Sequence, residues 1–397
     1  MLDFKGQGEQ IEKEIIAIRR HLHENPELSE EEFETSQIIQ QKLEEYEIPF
    51  KKGYAKTGVL GIIKGDQPGG VVALRADIDA LPIKERTDEP FASKKEGVMH
   101  ACGHDAHTAM LLGAGKLLNS QKEQIKGTIL LVFQPAEENA PDGGAQPMMD
   151  DGVFDEYTPD VIFGQHVWPD LPKGQFGIRD GAMMGASDRI KFTIKGTGGH
   201  ASMPHQTNDA ITIATTVINQ LQTIVSRNVD PLSAAVLTIG KIEGGYRYNV
   251  IADEVLVDGT VRTLDKDTRE RIKDRFYKIV EGTTEAMGGT AEVEFTKGYP
   301  ATINTPEWAQ HVRATAQTLF GEEATPVLNP SLGGEDFSRF LLKYPGAFFW
   351  LGTKPKNGQP KPLHDPSFEI DEDALAGGVE LMAQVAADTL EKLERRL

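Results

Sequence analysis

Three short runs rich in apolar and β-branched residues do most to limit what this chain can become: "VVALRADID" at 71–79, "GTILLVF" at 127–133 and "DVIFGQHVW" at 160–168. Each is strand-length, and stretches of helical pattern separate them. Strands that alternate with helices build βαβ units and a largely parallel sheet buried on both faces. In such sheets ligands bind beyond the carboxyl ends of the strands. The polar residues trailing these runs are Asp77 and Asp79, then Glu137 and Glu138, then His166. A site is expected where they meet.

The flanking segments complete an α/β design. "EQIEKEIIAIRRHLHENPELSEEEFETSQIIQQKLEEY" reads as helix, turn, helix, with Ser29 expected as the N-cap of the second helix. From about residue 186 the order becomes strand, helix, strand, strand, helix, strand, which is the ferredoxin-like pattern. After about residue 299 helix–strand alternation resumes, with "GAFFWLG" as a buried strand and a closing helix from about 372. The expected architecture is therefore a discontinuous domain, 1–185 and 299–397, with a mostly parallel central sheet and helices on both faces. A ferredoxin-like β-α-β-β-α-β domain, 186–298, is inserted into it. At 397 residues the chain is also too long for one comfortable core. "NAPDGGAQPMMDDG" (139–152) is predicted as a loop beside the site.

Charge and cysteine usage narrow the partners. A net charge of −19 repels nucleic acid and anionic membrane surfaces. One cysteine makes no internal disulfide. No run approaches the ~18 apolar residues of a membrane span, and "MLDFKGQGEQIEKEIIAIRR" lacks the apolar core of a signal peptide. The expected compartment is the cytoplasm.

That single cysteine, Cys102, lies in "VMHACGHDAHTAM" (98–110) with His100, His104 and His107. Three readings compete: a metal site, a thiol nucleophile with a histidine base, or a histidine-rich helix start. Gly103 lets the backbone turn so that Cys102 and His104 both point inward. "FQPAEE" adds two adjacent carboxylates at a strand end, which are costly to place together unless a cation or shared proton relieves them. Pro135 and the strand end let the two diverge, one to ligate a metal and one to act as a base. With His166 and with His364 in "KPLHDPSFEI", the set Cys102, His104, Glu138, His166 and His364 offers one thiolate, three imidazoles and one carboxylate. Such a mixture suits Zn, Mn or Co rather than Mg or Ca, and it is large enough for two ions.

"RRHLHENPELSEEEFET", "LRADIDALPI", "MHACGHDAH", "FQPAEE", "GQHVWP", "GTGGHASMPH", "NVIADEVLVDGTVRTL", "GGEDFS" and "LHDPSFEID" run in order from about residue 19 to 372. This series resembles the M20 metallopeptidase/amidohydrolase family, in its N-acyl-L-amino-acid amidohydrolase branch of aminoacylases and hippurate hydrolases. The resemblance implies a catalytic domain holding two divalent metals and an inserted lid domain that also forms a homodimer. It makes Cys102, His104, Glu138, His166 and His364 the ligands and Glu137 the general base acting on a water between the metals. Asp79 becomes an orienting acid. His200 of "GGHAS" becomes an oxyanion donor that serves a second subunit, and Asn249 and Arg262 become substrate contacts. The implied reaction is hydrolysis of the amide bond of N-acyl-L-amino acids, with dipeptidase or aminopeptidase-like cleavage as the alternative. Two departures stand out: "NAPDGGAQP" replaces a glycine-rich run at the pocket rim, and "NVIAD" replaces "NVIPD". His100, Asp105 and His107 lie inside the motif without being its ligands. A Cys102 acyl-enzyme mechanism would leave "FQPAEE" without a task. A non-catalytic relative would lack Glu137 or a ligand, and none is missing.

Overall fold

The structure, a computed structural model, describes residues 2–356 and 359–396. It divides into two compact units, Met1–Met183 with Ile303–Asn329 and Asp336–Leu397, and Met184–Thr302 with Pro330–Glu335.

The first unit opens with α1 (Gln7–Glu24) and α2 (Phe33–Glu45). Ser29 does not cap α2. Glu32 occupies the N-cap position, and Ser29 Oγ donates to Asp79 instead. An antiparallel pair follows, β1 (Phe50–Tyr54) and β2 (Gly58–Lys64). After it come β3 (Gln67–Asp77), α3 (His104–Ser120), β4 (Lys126–Gln134), the short α4 (Ala145–Asp150) and β5 (Val161–Trp168). The segment 139–152, expected as a loop throughout, therefore contains a helical turn and a half.

The sheet runs β1-β2-β4-β3-β5, then Gly346–Gly352 and the short Phe176–Gly177. Its centre is parallel: β4 beside β3, β3 beside β5, and β5 beside Gly346–Gly352. Its edges are antiparallel. The parallel centre explains why these strands read as continuous apolar runs, since helices cover both faces. α3 is buried along nearly its whole length, packed with α1 and with the closing helix Leu375–Glu394. Phe133, Phe163 and Phe349 are wholly buried in the sheet, each worth roughly 1.5–3 kcal/mol relative to exposure. Because the central strands are parallel, Asp77, Gln134 and Trp168 all emerge at one end.

The second unit has a four-stranded antiparallel sheet ordered Ala235–Gly244, Glu254–Thr263, Ala186–Lys195, Thr290–Lys297. With helices Ala210–Thr223 and Lys266–Ala286 this is the ferredoxin-like arrangement. Ile190, Phe192 and Ile194 alternate inward against Val217, Leu221, Phe276 and Val280. Asp209 and Asp265 cap the two helices with their side chains. Among the described residues no helix is long and apolar enough to cross a membrane.

Candidate metal and catalytic site

The carboxyl end of the parallel strands holds the expected cluster. Gly103, left-handed at φ 85°, ends the loop, and its carbonyl accepts the Ala106 and His107 amides of α3. A Cβ there would come 2.4 Å from Val167 Cγ2, so glycine is required twice over. The turn faces Cys102 and His104 toward β5, where Cys102 Sγ lies 3.4 Å from His166 Nε2.

Neighbouring acceptors fix the imidazole tautomers. His166 Nδ1 donates to the Val167 carbonyl at 2.7 Å, leaving an Nε2 lone pair toward Cys102. His104 Nδ1 donates to Asp79 Oδ1 at 3.1 Å. His104 Nε2 is buried without a hydrogen bond; the nearest carboxylate oxygen across that side, Asp77 Oδ2, is 3.7 Å away, too far for one. Glu138 Oε1 sits 3.0 Å from His364 Nε2, yet the two are not aligned as a hydrogen bond. Lone pairs left unmatched this way suit donors that converge on a cation.

Ligand atoms lie within 4.8 Å of one another in the sets Cys102–His104–His166, Cys102–Glu138–His364 and His104–Glu137–Glu138. All five sequence-derived ligands thus come together, and Cys102 belongs to two of the sets. His364 reaches the cluster from a left-handed residue, φ 69°, whose backbone N–H donates to the Ala101 carbonyl.

The electrostatics also suit a cation. Burial disfavours the charged form of His104, yet Asp77, Asp79 and Glu138 override it and lift the group to about 10. Burial, with Glu138, Glu137 and Asp77, pushes the Cys102 thiol well above its ordinary value. A thiolate, whether nucleophile or metal ligand, needs a cation beside it to offset that shift. The negative charge that raises both groups sits on Asp77, Asp79, Glu137 and Glu138, and divalent ions would neutralise it in place of the His104 and Cys102 protons.

Asp77, His104 and His107 form a further set of ligand atoms within 4.8 Å. His107 is already engaged at both nitrogens: Nε2 accepts the Val167 N–H at 2.8 Å and Nδ1 donates to Asp77. His100, Asp105 and His107 thus stand behind the cluster, and Asp105 pairs with Arg19 at 2.8 Å and His23 at 2.7 Å on α1.

Glu137 and Glu138 leave β4 through Pro135 and Ala136. Ala136 has φ 56°, a left-handed conformation costing ~1–2 kcal/mol for a residue with a Cβ. The Glu138 amide donates to Asp79 Oδ2, and Glu137 Oε1 accepts the Asp336 amide at 3.4 Å. Sequence reasoning missed what holds this turn from below. The buried Asp336 carboxylate accepts from Gly144 N, Ala145 N, Gln134 Nε2 and Arg75 Nη2. Asp336 lies in "GGEDFS", one motif of the series, whose local sequence does not show which backbone amides its carboxylate meets.

In the second unit, His200 and Asn249 share a two-stranded ribbon: His200 pairs with Val250, and the Ala201 amide donates to the Asn249 carbonyl. His200 Nδ1 accepts from the Ser202 amide, which leaves the exposed Nε2 as the proton-bearing nitrogen. Arg262 lies half-buried on Glu254–Thr263.

The sequence profile of Peptidase family M20/M25/M40 matches residues 73–388. The chain is 46% identical over 365 residues to an N-acetyl-L-cysteine deacetylase of Bacillus subtilis, covering 92% of this chain and 85% of that relative. It is 43% identical over 377 residues to thermostable carboxypeptidase 2 of Saccharolobus solfataricus, covering 94% and 95%. A solved Bacillus subtilis structure, described as a dinuclear metal-binding peptidase from the M20 family, superposes with a TM-score of 0.84. It is 37% identical, with 96% of this chain and 99% of that one covered.

Proposed function

Because this chain belongs to peptidase family M20/M25/M40, we propose that it is a two-metal hydrolase that cleaves N-acyl-L-amino acids to a carboxylate and a free amino acid. The observation that carries this reading is the meeting of Cys102, His104, Glu138, His166 and His364 in overlapping clusters, with Glu137 grouped with His104 and Glu138. The N-acetyl-L-cysteine deacetylase relative supports the substrate class.

Cys102, His104 and His166 would hold one side of the centre, and Cys102, Glu138 and His364 the other. Zn, Mn or Co suits the donor set. Ions bound there supply Lewis acidity at the scissile carbonyl and acidify water. Glu137, held against the Asp336 amide, takes the proton of the attacking water and returns it to the leaving nitrogen. Asp79 fixes the His104 tautomer and the Glu138 backbone. His200 Nε2–H serves as an oxyanion donor, with Asn249 beside it. Arg262 pairs with the substrate α-carboxylate.

Two copies associate through the inserted unit, whose edge strand exposes Val236 and Ile242, with Tyr248 exposed nearby. Domain limits near 185 and 299 follow from the same reading, as does a cytoplasmic location in which Cys102 stays reduced.

The test is hydrolysis of N-acetyl, N-benzoyl and N-succinyl amino acids and of dipeptides, after chelation and after return of Mn, Co or Zn. Activity should vanish with the metal and return with it. Full turnover in the chelated protein would overturn the proposal. Cleavage of dipeptides alone would favour the peptidase reading, to which the carboxypeptidase relative points.

A further inference from the structure

The segment Ser29–Glu32 leaves α1 and, instead of only starting α2, reaches across to the turn that carries Glu137. Ser29 Oγ donates to Asp79 Oδ2 at 2.6 Å, and Asp79 Oδ2 accepts the Glu138 amide at 3.0 Å. Three residues on, the wholly buried Glu32 accepts the Ala136 amide on Oε1 at 2.9 Å. The same oxygen accepts the Glu30 amide at 3.0 Å, and Oε2 accepts Thr57 Oγ1 at 2.7 Å. The amides on both sides of Glu137 are therefore tied to carboxylates, that of Ala136 to Glu32 and that of Glu138 to Asp79.

The tie at Ala136 falls on a strained residue. Ala136 is left-handed at φ 56°, a conformation that persists only where the surroundings enforce it. That φ decides where the chain points as it enters Glu137. Among the described residues no cation pairs with Glu32 to account for a buried carboxylate: the nearby Lys56 pairs with Glu30. Burial and the charge of Asp79 accordingly raise its pKa to about 7. Either protonation state keeps an oxygen free to accept the Ala136 amide, because the Thr57 hydroxyl can rotate to accept a proton from Oε2.

We propose that Glu32 is a positioning residue for the base Glu137: through the Ala136 amide it holds the left-handed turn that aims the Glu137 carboxylate. The proposal rests on the reading of Glu137 as general base. Losing the tie lets Ala136 relax toward right-handed or extended backbone and misdirects Glu137. Asp79 continues to hold the Glu138 amide, so metal binding survives.

The test compares kcat, KM and metal content of the metal-loaded enzyme in a set of variants. Glu32→Ala should lower kcat on the order of 10- to 100-fold, the scale of an ångström-sized misplacement, with KM and metals per chain close to the parent. Glu32→Gln, which keeps an acceptor, should rescue most of that loss. Adding Ala136→Gly to Glu32→Ala should also recover activity, because glycine takes the left-handed conformation without steric cost. If Glu32→Ala does not fold, Glu32→Asp, one methylene shorter, is carried through the same comparison. A parental kcat in the Ala or Asp variant overturns the proposal. Equal loss in the Ala and Gln variants with no recovery from Ala136→Gly also overturns it, since that is a packing role. Glu137→Gln is the control: if it stays active, the base assignment has failed, whereas an inactive Glu137→Gln beside a normal Glu32→Ala refutes the role of Glu32 alone.

Discussion

His107 Nε2 accepts the backbone N–H of Val167 at 2.8 Å, one residue beyond His166 on β5. A ring nitrogen that accepts an amide proton has no lone pair left for a cation. The other nitrogen, Nδ1, carries the proton that goes to Asp77. Asp77 in turn accepts from Arg75 Nη1 at 2.7 Å. His107 therefore pins α3 to β3 and β5 and keeps His166 in place, although its spacing from His104 would suit a ligand pair on a helix.

His107→Leu should cost roughly 2–4 kcal/mol in denaturant unfolding, since it leaves the Val167 amide and part of the Asp77 charge without partners. Elemental analysis should find the parental metal content. His104→Leu and His166→Leu should each lose metal. A metal deficit in His107→Leu comparable to theirs would make His107 a ligand.

Gly103→Ala should be among the most damaging single-methyl changes in the chain. It adds a left-handed alanine, ~1–2 kcal/mol, to a clash with Val167 Cγ2 at 2.4 Å, typically another ~1–3 kcal/mol. Relief of the clash displaces either Cys102 or His104, so metal affinity should fall together with the unfolding midpoint. Unchanged metal affinity would mean the turn is not what brings these two side chains together.

The α1–α3 junction gives stability a pH window. Burial works against charge on Asp105, but Arg19 and His23 hold its carboxyl far below the usual range. Its contribution is present above the unfolded value of about 4 and is lost as pH falls toward the folded one. Burial and Arg19 work against charge on His23, yet Asp105 and Glu85 raise its pKa. Its contribution is full below about 6.5 and is lost as pH rises through the folded value. The junction should be most stable between roughly pH 4 and 6.5. Thermal melts of the parent and of His23→Gln should converge as pH rises toward 9, and identical separation at pH 6 and 9 would refute the assignment.

How much of this was legible in the sequence depended on whether a side chain acts locally. β3, β4 and β5 could be read because burial on both faces leaves an unbroken apolar run, and the inserted unit could be read from its alternating strands and amphipathic helices. Cys102, His104 and His166 stood out as residue types that are costly to bury without a purpose, Glu138 through the acid beside it, and the exposed His364 only through its place in the motif series. The pair β1 and β2 was not legible, since "FKKGY" carries no strong strand pattern. Ser29 was misread, and Glu32 passed over, for a deeper reason. A serine ahead of an acidic helix start has the local chemistry of an N-cap, and nothing local shows that its hydroxyl is spent on Asp79, 50 residues away. Arg75, Gln134 and Asp336 escaped for the same reason, because their meeting exists only once the sheet has formed.

The proposed pairing of Arg262 with the substrate α-carboxylate can be tested directly. Among the described residues its guanidinium makes no hydrogen bond or ion pair, and its burial pulls the guanidinium pKa down, offset only in part by the charge of Asp188. Asp188 itself is committed to Arg269. A half-buried cation in this position is relieved by an incoming anion, and the α-carboxylate of an N-acyl amino acid is one. A hydrogen-bonded charge of this kind is worth about 1.5–3 kcal/mol. Arg262→Met should therefore raise KM on the order of 10- to 100-fold, the ratio that energy corresponds to, with kcat much less affected. Arg262→Lys should fall between, keeping charge but losing the planar fork. N-acyl amino acid amides, which lack the carboxylate, should be poor substrates for parent and variant alike. If the variant loses equally on acids and amides, Arg262 contributes to the fold of the second unit rather than to recognition of the carboxylate.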